Sequence, residues 1–250
     1  MEPNWLSYIR WIRRSLCRQT PDLGAIAQLC RAHGAIFIVD PTIASPCNID
    51  VLPYCDIAVN SLTKYAASEG DVIMGAVVVN PESPYAADFK RQLPGRLEPV
   101  YTRDVGRLAA QIGDYAAVIA RVNKTGPAVV EFLRQHPRVK NLRWSGHPDS
   151  EANFLRLART PGAVASMISF KFDGPLVDFY DRLRLPKGAS FGMKNTLVCP
   201  FIFMAHYDLV TNKSGLEILQ ACGLDAELVR LSLGCEPAEE IIAALAEALA

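Results

Sequence analysis

The sequence predicts an α/β fold, with a mostly parallel sheet within residues 1–125 and a smaller α+β unit in residues 126–250. Three features carry this expectation. Residues 36–39 and 57–59 are continuous apolar runs rich in β-branched side chains, each ending abruptly in polar residues, as strands buried on both faces do. A helical pattern beginning at Leu23 stops at Gly34 and runs directly into the first of these strands, which is the second half of an α/β unit. Beyond residue 137, strand-like and helical patterns alternate without a parallel rhythm.

Taken in order, Thr20 is expected to cap the first helix, with Pro21 at its first position and Asp22 in its first turn. Pro41, Pro46 and Asn48 mark a loop after the first strand, and residues 49–55 lead back to the second. Residues 72–79 read as a third strand, in which Gly75 predicts a close backbone approach. Helices are expected over residues 85–93 and 105–132. The second should break at Gly126 and Pro127, the expected domain boundary, and a further helix should end near His136 and Pro137. Strands at 139–144, 165–172 and 228–233 and helices at 176–183 and 238–250 complete the second unit. There is no internal repeat.

Composition excludes several function classes. The 250 residues, 50% hydrophobic, can bury a sizeable core. Lysine plus arginine equals aspartate plus glutamate at 26 each, so no global field attracts nucleic acid. The seven cysteines include no C-x-x-C pair and no histidine at zinc spacing, which fits reduced thiols in a cytoplasmic protein without a metal site. No apolar run approaches the roughly 20 residues of a membrane span. Residues 8–18 are basic and amphipathic, a character shared with membrane-surface and partner-binding helices. They lack the apolar core and cleavage site of a signal peptide and read as an ordinary surface helix.

The chemistry concentrates where the two apolar runs end. Asp40 terminates the first strand, and Ser61, Thr63 and Lys64 follow the second. In open α/β sheets, ligands sit beyond the carboxyl ends of the strands. A poorly solvated lysine has a lowered pKa and an amine able to attack an aldehyde, although a surface lysine at a strand end has the same sequence signature. An acid ending a buried strand needs a partner, either a protonated pyridine nitrogen or a helix cap or ion pair. Two hydroxyls beside the lysine suit a phosphate. Together they match what pyridoxal phosphate requires. Arg230 lies in an apolar strand pattern, where its guanidinium must find an anion, either a substrate carboxylate or a structural partner. His206 sits in an apolar stretch and reads as a packed histidine rather than an acid or base.

These residues resemble a known family. Val39-Asp40-x-Thr42, Asp56-Ile57, Ser61-Leu62-Thr63-Lys64 and Asp71-Val72-Ile73-Met74-Gly75 are similar to motifs of the Cys/Met-metabolism group of pyridoxal phosphate enzymes. So are Lys187-Gly188-Ala189-Ser190-Phe191-Gly192, Ala205-His206-Tyr207 and Leu228-Val229-Arg230-Leu231-Ser232-Leu233-Gly234. The resemblance runs from about Asp22 to the end and is strongest towards a cystathionine γ-synthase subgroup.

The resemblance implies part of the large domain of the aminotransferase-like fold (fold type I), followed by the small C-terminal domain. It also implies Lys64 as the cofactor lysine, Asp40 as the pyridinium partner, Ser61 and Thr63 as phosphate ligands, Arg230 as the clamp for the substrate α-carboxylate, and Ser190 at the substrate mouth. The implied activity is γ-replacement on an activated homoserine ester with cysteine, in methionine biosynthesis, by a homo-oligomer (dimer or tetramer) acting on amino-acid substrates. A cystathionine lyase or homoserine-ester sulfhydrylase would use the same residues. Pro41 and Ala67-Ser68-Glu69-Gly70 depart from the family pattern around the cofactor. The family's phosphate loop and ring-stacking aromatic belong to a preceding segment, of which Glu2-Pro3-Asn4 resembles a remnant, with residues 8–18 as an insertion. A truncated homologue serving as an assembly partner is the alternative from another class.

Overall fold

In the computed structural model, the described residues are 19–250; the basic stretch 8–18 and Glu2-Pro3-Asn4 lie outside them. Helix α1 (Leu23–Ala32) is capped by Asp22, whose Oδ1 accepts a hydrogen bond from the Ala25 N–H at 3.0 Å. The expected cap, Thr20, instead lies buried two residues earlier, where its carbonyl accepts from Asn153. A carboxylate at the cap position satisfies an orphan N–H at least as well as a hydroxyl does. At the other end, Gly34 takes a φ of +61° and the Ala35 N–H reaches back to the Cys30 carbonyl at 2.9 Å, closing the helix.

The chain then forms β1 (Ile38–Val39), β2 (Ile57–Ser61) and β3 (Gly75–Val79). The two apolar runs are parallel, with Ile38 opposite Ile57, whereas β3 is antiparallel to β2. The reason is the short hook between them. The Leu62 and Thr63 N–H groups both donate to the Met74 carbonyl, at 2.9 and 3.2 Å, so the chain doubles back without the crossover a parallel pair requires. Gly75 does not mark a close approach: a Cβ there would meet only the Asn60 carbonyl, at 3.7 Å, an ordinary contact.

Helices α2 (Ala86–Gln92), α3 (Thr102–Gln111) and α4 (Tyr115–Gln135) follow. The expected break at Gly126 and Pro127 is absent. The helix is interrupted instead by a 3-10 turn at Ile112–Asp114, and α4 runs unbroken through Pro127. A proline removes one helical hydrogen bond. Here the helix is held by its buried face, Val118, Val122, Val129, Val130 and Leu133, and tertiary packing overrides the local preference.

The remaining elements are β4 (Val139–Arg143), α5 (Glu151–Leu157), β5 (Met167–Phe172), α6 (Leu176–Arg182), β6 (Leu197–Pro200), α7 (Phe201–Ala205), α8 (Tyr207–Val210), α9 (Lys213–Ala221), β7 (Leu228–Ser232) and α10 (Ala238–Leu249). Strands β4, β5, β7 and β6 form, in that order, an antiparallel sheet. Strand β6 and helices α5 and α7–α9 had no clear sequence signal. Period-two alternation turns Ile168, Phe170 and Phe172 of β5, and Val229 and Leu231 of β7, onto the apolar faces of α4, α6 and α10. The other face of β7 therefore carries Arg230 away from this core. Helix α5 crosses back: its Phe154 and Leu157 pack with Leu23, Phe37, Val39 and Ile49. None of the six described cysteines forms a disulfide, and no helix among the described residues is long and apolar enough to cross a membrane.

Phe179 of α6 is fully buried and stacks against both Phe170 and Phe172, with ring centroids 5.8 and 5.2 Å away. Phe179→Ala should cost about 3–5 kcal/mol, read from the denaturant midpoint at unchanged m-value.

Candidate active site

The acid and the hydroxyls are brought together by the parallel register. Val39 pairs with Ala58, so Asp40 falls beside Val59 and shares its face with Ser61. Oδ1 of Asp40 accepts from the Thr42 N–H at 3.0 Å and from the Thr42 hydroxyl. Thr42 Oγ1 accepts in turn from the Ser61 N–H at 2.9 Å, so one side chain ties the end of β1 to the end of β2. Asp40, Ser61 and Thr63 line a cleft of about 740 Å³ whose lining also includes Leu97, Val100 and Tyr101. The Thr63 hydroxyl accepts from the Met74 N–H at 3.0 Å and lies 3.4 Å from the Met74 carbonyl, so it pins the hook. Asp40 forms neither a helix cap nor an ion pair among the described residues.

Lys64, Ser190 and Arg230 converge in a second cluster. Lys64 is half-buried; its ammonium donates to Ser190 Oγ at 3.1 Å and lies 5.0 Å from the centroid of the Phe191 ring. Burial, and secondarily the positive charge of Arg230, hold its pKa below the usual lysine value. Arg230 is 7% exposed, donates to the Ala189 carbonyl and stacks 4.2 Å from the centroid of Phe201. Burial lowers its pKa, and Cys199, opposite it on β6, opposes that shift. Among the described residues no carboxylate pairs with it, so it is not a structural ion pair. A guanidinium has five N–H donors, and backbone carbonyls engage only part of that fork.

The predicted residues thus fall into two groups joined through the backbone that links Ser61 to Lys64. Sequence reasoning gave Thr42 no role, although it belongs to a quoted motif. Phe191, which also belongs to a quoted motif, and Phe201 were given no role as aromatic supports of the two cations, because stacking partners are chosen by tertiary approach. His206 lies edge-on to Phe201, with centroids 6.4 Å apart.

Because charge repulsion contributes to the Lys64 shift, Arg230→Met should raise the Lys64 pKa towards the ordinary value. A chemical-shift titration of ¹³C-dimethylated lysines, assigned with Lys64→Ala, measures it. An unchanged or lower midpoint would contradict the coupling.

Comparison with known proteins accounts for this arrangement. The family model described as Cys/Met metabolism PLP-dependent enzyme matches residues 14–250. The chain is 38% identical over 221 residues to an L-2-amino-4-chloropent-4-enoate dechlorinase/desaturase of Streptantibioticus cattleyicolor, covering 88% of this chain and 44% of that protein. It is 34% identical over 232 residues to a cystathionine gamma-synthase of Neurospora crassa, covering 92% of this chain and 36% of that protein. Among solved structures, cystathionine gamma synthase of Xanthomonas oryzae pv. oryzae, in complex with aminoacrylate and cysteine, superimposes with a TM-score of 0.80 at 26% identity, over 93% of this chain and 60% of that one. A cystathionine gamma lyase of Micromonospora echinospora gives 0.79 at 27% identity, over 92% of this chain and 60% of that one. The chain thus spans less than half the length of these two sequence relatives. With the match running along nearly all of its residues, the chain belongs to the Cys/Met metabolism family of PLP-dependent enzymes.

Proposed function

We propose that this chain carries the lysine side of a pyridoxal phosphate site and serves a cystathionine γ-synthase-like γ-replacement on an activated homoserine ester, with cysteine as the incoming thiol. The observation that carries this reading is the half-buried Lys64 amine, hydrogen-bonded to Ser190 and depressed in pKa by burial and by Arg230. The residues fit the cofactor's chemistry. Thr42 holds one carboxylate oxygen of Asp40, which leaves Oδ2 for a pyridinium N–H. The Ser61 hydroxyl opens on the same cleft and suits a phosphate oxygen. Thr63 can join it only by giving up part of its bond to Met74.

When bound, pyridoxal phosphate supplies an electron sink for negative charge at substrate carbons. The protein's own residues do the rest. Lys64 would hold the cofactor through its amine and would carry protons at the substrate Cα and Cβ; its lowered pKa leaves more of the amine unprotonated at a given pH than in an exposed lysine. Arg230 would grip the α-carboxylate through its guanidinium fork, whose plane lies against Phe201. Ser190 orients the Lys64 amine and borders the substrate. Residues 1–125 would then belong to the cofactor domain and residues 126–250 to the substrate domain, in a cytoplasmic homo-oligomer. Elimination by a lyase uses the same groups, and the likeness to the Micromonospora lyase favours it as the second reading.

Incubation with pyridoxal phosphate, borohydride reduction and peptide mapping should give an adduct on Lys64 that is lost in Lys64→Ala. An adduct elsewhere, or none, would instead support a non-catalytic assembly role. In the competent assembly, Arg230→Lys should raise the KM for the amino-acid ester about 10- to 100-fold with a smaller change in kcat, the loss expected for a charge-assisted bidentate contact. Product analysis with cysteine present and absent separates γ-replacement from elimination.

A further inference from the structure

We propose that Tyr65 is a positioning residue that locks the turn holding Asp40 to the loop holding Ser190, through a one-way chain of hydrogen bonds that passes behind Lys64. The Gly192 N–H donates to Ser232 Oγ at 3.2 Å. The hydroxyls of Ser232 and Ser166 lie 3.5 Å apart, and those of Ser166 and Tyr65 2.7 Å apart. The Tyr65 hydroxyl donates to the Ile43 carbonyl at 2.8 Å. A carbonyl only accepts, so Tyr65 spends its single proton on Ile43, Ser166 must donate to Tyr65, and Ser232 must donate to Ser166. The direction from Ser166 through Tyr65 to Ile43 is fixed, the 3.5 Å step from Ser232 is the long one, and hydrogen bonds in such a series polarise one another.

The two ends of the chain are the two halves of the site. Ile43 follows Thr42, the residue that ties Asp40 to Ser61. Gly192 lies two residues after Ser190, whose hydroxyl receives the Lys64 ammonium. Tyr65 itself follows Lys64, is 2% exposed, and meets the Phe191 ring edge-on at 6.0 Å. The loop seats here because residue 192 is glycine: its φ is +74°, and a Cβ would fall 2.8 Å from the Tyr65 nitrogen and 3.0 Å from its ring. The acid, the lysine and the serine are therefore held in one frame whose middle member is the Tyr65 hydroxyl. The functional meaning of this frame rests on Lys64 being the cofactor lysine; the hydrogen-bond chain does not.

The test compares the unsubstituted chain with Tyr65→Phe, which keeps the ring, and Ser232→Ala, which keeps the strand. Hydrogen exchange by mass spectrometry, without cofactor, should show exchange in segments 42–45 and 190–194 rising together by about tenfold in each variant, with strands β5 and β7 as protected as before. In Tyr65→Phe, the pyridoxal phosphate concentration that half-saturates the borohydride-fixed Lys64 adduct should also rise about tenfold. A rise confined to the segment beside the substituted residue, a uniform rise along the chain, or an unchanged half-saturation would overturn the proposal. Should Tyr65→Phe not fold, the paired response in Ser232→Ala decides. Loss of the cofactor reading alone is distinct: no Lys64 adduct forms even in the unsubstituted chain, while the paired exchange response persists.

Discussion

Two cations held out of bulk water set the character of this molecule. Lys64, in the turn after β2, and Arg230, on β7, share a partly desolvated environment that lowers the pKa of both and offers no carboxylate among the described residues. What the protein supplies instead is softer: carbonyls of Ala189 and Ser190, the hydroxyl of Ser190, and the faces of Phe191 and Phe201. Such partners compensate incompletely for lost hydration. The cluster therefore favours an anion, and both phosphate and carboxylate groups meet that demand.

Bringing these cations together depends on how the two sheets are joined. The apolar face of β7 must meet α4, α6 and α10, and strand alternation then leaves Arg230 facing the other way. Helix α4 runs unbroken through Pro127 while packing on this core, and α5 returns to the first unit through Phe154 and Leu157. The segment after Ser190 is fastened down too, with the Lys194 N–H on the Ser68 carbonyl and its ammonium between Glu69 and Asp114. These exposed pairs contribute little individually. The buried contact of Gly192 with Tyr65 is the geometrically demanding one.

Family membership and local geometry speak to different questions here. The match along residues 14–250 identifies the family and its cofactor class. The chain's matches include both a cystathionine gamma-synthase and a cystathionine gamma lyase.

Much of this was legible in the sequence, because it depends on short-range signals. The apolar runs ending in Asp40 and Ser61 marked parallel strands; Gly34 marked a helix end; alternation around Arg230 marked a strand with a buried cation. Other features were legible only wrongly or not at all. Asp22 rather than Thr20 caps the first helix, Pro127 sits inside a helix, and β3 runs antiparallel, since each was decided by competition with packing or by a hook closed through Met74. Sequence by itself determined the residue types and their placement at strand ends, because solvation and backbone periodicity act locally. Only the tertiary structure decided that Phe191 and Phe201 support the cations, that Thr42 joins two strands and that Tyr65 links two loops, because those contacts join residues up to 127 positions apart, the span between Lys64 and Phe191.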